Sequence, residues 1–83
     1  MYRVTLSPAA EKFLRKLDRA QQIRVGNKLL ELERHADLGK PLCGPLAGCW
    51  SLRIGQYRAV YCIQEQQLLV LVLRIGHRKN AYD

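Results

Sequence analysis

Apolar and polar residues alternate from the start of the chain, with Tyr2, Val4 and Leu6 on one side and Arg3 and Thr5 on the other. A period of two predicts a short half-buried strand over 2–6. The period then changes. Ser7-Pro8 reads as a helix N-cap followed by proline at the first helical position. Ala10, Phe13, Leu14 and Leu17 form one apolar stripe, and Lys12, Arg15, Lys16 and Arg19 occupy the opposite side. Asp18, with Gln21 three residues on, marks a second N-cap. Ile23, Leu29, Leu30 and Leu32 then supply an apolar side up to about Ala36. So short a connection predicts an antiparallel helical hairpin.

Between Asp37 and Gly48 the glycines and prolines (Gly39, Pro41, Gly44, Pro45, Gly48) predict a loop. Strand patterning returns at residue 49. Trp50, Leu52 and Ile54 alternate with Cys49, Ser51 and Arg53, and Tyr57, Ala59, Tyr61 and Ile63 alternate with Arg58, Val60 and Cys62. Gly55-Gln56 fits a two-residue hairpin turn with glycine at its first central position. After the polar stretch Gln64-Glu65-Gln66-Gln67, residues 68–75 form a strand apolar on both faces, the mark of a central strand. Gly76 ends it and leaves a polar tail from His77 to Asp83. The predicted order is β-α-α-β-β-β, an α+β fold with an antiparallel-rich sheet and the helical hairpin packed on one face.

Eighty-three residues predict one domain, 1–83. The longest apolar run, Leu68 to Leu73, is far short of the about 20 residues that cross a bilayer, so no membrane partner is expected. The N-terminus lacks the apolar core of a signal peptide, and cytoplasmic residence is the expectation. The three cysteines, Cys43, Cys49 and Cys62, have no Cys-x-x-Cys spacing and lie away from His35 and His77 in any ligand-like pattern. Buried reduced thiols are expected, with no disulfide framework, no metal and no cofactor. The charge changes the picture more. Fourteen Lys and Arg against seven Asp and Glu give +7, which points to a polyanionic partner.

The hairpin register places Arg53 opposite Arg58 on the face away from the apolar residues. Like charges directly across a ladder destabilise it by up to about 1 kcal/mol. A phosphate held between two guanidinium groups would offset that cost. The bland counterpart is a pair of arginines splayed into water. The tail adds His77, whose ordinary pKa of about 6.5 suits proton transfer, Arg78 and Lys79 as cations that can hold a phosphate, and Tyr82 as a stacking or proton-transfer group.

Leu42-Cys43-Gly44-Pro45-Leu46-Ala47-Gly48, Trp50-Ser51-Leu52-Arg53-Ile54-Gly55-Gln56-Tyr57-Arg58-Ala59-Val60-Tyr61, and Gly76-His77-Arg78 with Tyr82 resemble the RelE/ParE toxin superfamily. The similarity runs over essentially the whole chain. It implies a RelE-like toxin of a type II toxin–antitoxin system, held inactive by a RelB-like antitoxin. It further implies a metal-independent endoribonuclease that cuts mRNA on the ribosome through attack of a 2′-hydroxyl, leaving a 2′,3′-cyclic phosphate. Carried onto this chain, Arg53, Arg58 and Arg78 would clamp the scissile phosphate. Tyr82 would orient or stack on the substrate, and His77 is the titratable candidate for general acid or base. This chain departs from some relatives in having Ser51 where they carry a lysine, in Gln56 at the turn, and in ending at Asp83 without a longer C-terminal helix. The alternatives are a ParE-like poison of DNA gyrase and a non-catalytic RNA- or ribosome-binding module.

Overall fold

The computed structural model describes residues 1–78. In chain order these form β1 (Arg3–Leu6), α1 (Pro8–Lys16), α2 (Arg19–Leu30), β2 (Lys40–Pro41), β3 (Cys49–Ile54), β4 (Tyr57–Gln64) and β5 (Leu69–His77). Both expected caps are present. The Ser7 hydroxyl accepts from the Ala10 N–H at 3.1 Å, and the Asp18 carboxylate accepts from the Gln21 N–H at 2.9 Å. Each satisfies one of the donors that a helix start leaves without an intrahelical partner.

The strands form one five-stranded sheet in the order β1-β5-β4-β3-β2. β1 lies parallel to β5, and the other neighbours are antiparallel. β5 is interior to the sheet, as its apolar run requires. Ala10, Val25, Leu29 and Leu32 of the helical layer pack against Leu52, Ile54, Ala59, Tyr61, Val70, Val72 and Ile75 of the sheet. The α+β architecture with both helices on one face therefore follows the alternation of the strands.

Three details depart from the expectations. α2 ends at Leu30 and passes through a single tight turn, Glu31–Glu33, instead of continuing to Ala36. Its buried positions are Val25 and Leu29, with Leu32 just beyond, while Ile23 and Leu30 are about half exposed. The glycine- and proline-rich loop contributes the short edge strand β2, whose Lys40 and Pro41 pair with Ser51 and Trp50. β5 runs on through Gly76 and His77, because their partners Arg58 and Tyr57 continue the ladder.

A bulge interrupts β5. Val60 pairs with Arg74, but the next residue, Tyr61, pairs with Val72, which leaves Leu73 as an extra residue in its strand. The Ser7 hydroxyl donates to the Leu73 carbonyl, and the Ser7 N–H donates to Val72 at 2.9 Å. The start of α1 is thus tied to the bulge. One extra residue inverts the faces of everything after it. Arg74 and Gly76 turn to the face opposite the helices, and His77 turns toward them.

The cysteines correct the expectation of reduced, buried thiols. Cys49 and Cys62 are directly opposed across β3 and β4, 4.2 Å apart at Cα, and are joined by a disulfide, while Cys43 is free and exposed. Spacing along the chain conceals this pair. The cross-strand register that opposes Arg53 and Arg58 also opposes Cys49 and Cys62.

Candidate nucleic-acid interface

The β3–β4 hairpin has the expected register: Ile54 pairs with Tyr57, and Arg53 with Arg58. Gly55 makes this possible with a φ of 59°, a backbone conformation costly for residues bearing a Cβ. Arg53 is exposed and Arg58 half-buried, and both stand on the sheet face opposite α1 and α2. Register adds two more cations to that face. Arg74, opposite Val60, is a diagonal neighbour of Arg58, and Lys40, opposite Ser51, is a diagonal neighbour of Arg53. Gly76, directly opposite Arg58, adds no side chain over the sheet.

A cleft of about 510 Å3 opens at the β2–β3 edge, and Lys28, Lys40, Arg53 and Arg58 are the charged residues that line it. The loop forming its outer wall is pinned from beneath. The buried Tyr61 hydroxyl donates to the Ala36 carbonyl at 2.8 Å and accepts from the Gly39 N–H at 3.0 Å. Burial pushes the Tyr61 phenol above its ordinary pKa of 10.0, the hydrogen bond from Gly39 partly opposes this, and the charge of Asp37 adds to it. At Gly39 the chain lies close against the sheet, since a Cβ there would lie 2.4 Å from the Ser51 carbonyl oxygen. Among the described residues no three His, Cys, Asp or Glu side chains converge as a ligand set for a metal would.

The tail residues separate. The Arg78 N–H donates to the Gln56 carbonyl at 2.9 Å, which fixes Arg78 beside the hairpin turn, close in the ladder to Arg53 and Arg58. His77 lies on the other side of the sheet, its ring 5.3 Å from Tyr57 and 6.0 Å from Phe13 of α1. It was expected to approach the arginines from a free tail, but the longer β5 and its bulge turn it to the α1 side of the sheet, where it remains exposed. Lys79 and Tyr82 lie outside the described residues. Arg74 was passed over in the sequence, where it closes an apolar run; a lone cation in a central strand is the signal that marks it.

Arg53 and Arg58 stand opposite each other in the ladder, with Lys40 and Arg74 on the neighbouring strands. A family model described as the ParE toxin of type II toxin–antitoxin systems, ParDE, matches residues 4–82. The chain belongs to this family, within the RelE/ParE superfamily of type II toxin–antitoxin toxins. Toxin RelG of Mycobacterium tuberculosis is 44% identical to it over 45 residues, which cover 54% of this chain and 52% of RelG. The matched segment thus spans about half the length of that curated relative. Over the whole fold, this RelE/ParE chain is similar to the toxin–antitoxin complex RelBE2 of M. tuberculosis, with 35% identity and a TM-score of 0.85, covering 93% of this chain and 98% of the other. The E. coli RelBE toxin–antitoxin complex matches with 26% identity and a TM-score of 0.76, covering 93% of this chain and 96% of the other.

Proposed function

We propose that this RelE/ParE chain is a metal-independent endoribonuclease that cuts messenger RNA on the ribosome and so inhibits translation. The observation that carries this is the direct opposition of Arg53 and Arg58 on the face opposite α1 and α2. Two guanidinium groups there grip the non-bridging oxygens of one phosphate, and Arg78, held beside the turn, adds a third. As the 2′-hydroxyl oxygen bonds to phosphorus, the bond to the 5′-oxygen breaks. The hydroxyl proton departs, and the leaving 5′-oxygen takes up a proton. Negative charge grows on the phosphoryl oxygens, where fixed cations stabilise the transition state more than the ground state. The products are a 2′,3′-cyclic phosphate and a 5′-hydroxyl.

Tyr82, by resemblance, orients the attacking nucleotide and helps remove its proton, and Lys79 adds affinity for the strand. His77 is assigned a different part. With its ring against Phe13 and Tyr57, it holds the end of β5 from which Arg78 reaches the hairpin. The partner is a cognate RelB-like antitoxin with acidic and amphipathic helical segments. The +7 charge supports this, as does an apolar groove of about 310 Å3 where Leu14, Ile23 and Leu30 meet beside β1.

The test is to add purified protein to ribosomes translating a defined messenger and to map new 5′ ends by primer extension. Discrete cuts that disappear with Arg58→Ala are expected. The match to the ParE model favours one alternative, poisoning of DNA gyrase. An intact messenger together with gyrase-dependent DNA breaks would replace the ribonuclease by that activity.

A further inference from the structure

The cleft at the β2–β3 edge is more than an extension of the arginine pair. β2 pairs only with Trp50 and Ser51, so among the described residues β3 has no strand partner on that side from Leu52 onward. Leu52 and Arg53 point to opposite faces of β3, yet both line the cleft, which therefore wraps around the strand edge from the face opposite the helices toward α2. Its walls are of two kinds. Lys28 from α2 and Lys40 from β2 supply positive charge, and among the described residues no carboxylate lines it. Leu38, Pro41 and Leu42 supply an apolar wall, with Leu38 38% exposed.

Cations beside an apolar wall match a nucleotide, whose phosphate is charged and whose base has apolar faces. The wall is also built in advance: Tyr61 and the close approach of Gly39 to Ser51 hold the loop before any ligand arrives. Lys28 is engaged with Glu31 at 3.5 Å, but that exposed pair is of the kind that contributes little and yields readily to a phosphate.

We propose that this cleft is a second nucleotide subsite, which takes a residue of single-stranded RNA adjoining the phosphate held by Arg53 and Arg58, its phosphate on Lys28 and Lys40 and its base against Leu38 and Leu42. The proposal rests on the ribonuclease reading for its substrate, but not for its test, which reads binding alone. A short single-stranded oligoribonucleotide is titrated by fluorescence anisotropy from about 50 to 300 mM salt, a range over which phosphate contacts dominate the change in affinity. The proteins are wild type, Lys28→Gln/Lys40→Gln, and the control Lys12→Gln/Lys16→Gln on the outer side of α1, each checked for an unchanged unfolding temperature.

Neutralising one phosphate of a single strand contributes about 0.7 to the slope of log affinity against log salt, so loss of both lysines, which share one phosphate, lowers the slope by about 0.7. At 0.1 M salt this corresponds to roughly 5-fold weaker binding. In a second arm, an abasic nucleotide walked along the strand weakens wild-type binding at one position beside the clamped phosphate. A Lys28/Lys40 variant that binds with wild-type slope, or loses no more than the α1 control, overturns the subsite. So does equal binding of every abasic strand. A protein that binds in this way but never cuts RNA loses the ribonuclease and keeps the subsite; one that cuts RNA while Lys28 and Lys40 prove indifferent does the reverse.

Discussion

Replacing Arg53 by threonine should make the isolated protein more stable and less active. Arg53 is exposed and directly opposite Arg58 in the β3–β4 ladder. Like charges so placed cost up to about 1 kcal/mol relative to a neutral pair, and threonine keeps the β-branched shape that suits a strand. At low ionic strength Arg53→Thr should therefore gain about 0.2–1 kcal/mol. For a domain of this size that is a rise of a few degrees in Tm, since 1 kcal/mol shifts it by about 4–8 °C. The gain should shrink in about 1 M NaCl, where the Debye length is only about 3 Å. Inorganic phosphate should raise the Tm of wild type more than that of the variant, because the wild-type pair is the one that holds it. Cleavage, meanwhile, should fall by about 10²-fold or more, the usual cost of losing one preorganised group that stabilises transition-state charge. Thermal unfolding in a salt series, paired with primer extension, measures both. A variant destabilised at low salt, or one that still cuts at the wild-type rate, would refute the clamp.

Tyr61→Phe should lower stability by about 1–3 kcal/mol in urea unfolding, because it strips the Ala36 carbonyl and the Gly39 N–H of a buried partner. The raised pKa of Tyr61 has a defined sign: the folded protein keeps the phenol proton after the unfolded chain has lost it, so stability holds below pH 10.0 and falls as pH rises through the folded-state value. Stability measured from pH 9 upward should decline less steeply in Tyr61→Phe than in wild type. Gly39→Ala puts a methyl group against the Ser51 backbone and should destabilise by about 1–3 kcal/mol, with a weaker grip on RNA as the cleft wall shifts. Reducing Cys49–Cys62, which are 13 residues apart, should cost at most about 3 kcal/mol. It should leave the fold intact, because ladder partners on both sides still hold the hairpin; unfolding on reduction would contradict this.

The sequence by itself determined whatever depends on neighbours along the chain. The Ser7 and Asp18 caps, the change of period from two to helical, and the Gly55-Gln56 turn are local, and each reappears in the structure. Because a two-residue turn sets the register of its strands, the opposition of Arg53 and Arg58 was readable as well. The same register held the Cys49–Cys62 pairing, which inspection of linear spacing passed over.

What only the tertiary structure decided is how β5 is presented. Residues 68–73 are apolar without a break, so no alternation marks a face, and nothing along the chain shows that Leu73 is an extra residue. The bulge forms where β5 must pair with β4 on one side, with β1 on the other over part of its length, and accept Ser7 from the start of α1. That one residue sends Arg74 to the arginine face and His77 to the α1 side of the sheet, so the two side chains exchange faces. Lys28 reached the cleft in the same non-local way, through the packing of α2 on the sheet. Propensity and spacing act over a few residues, whereas a face is assigned by the partners on both sides of a strand.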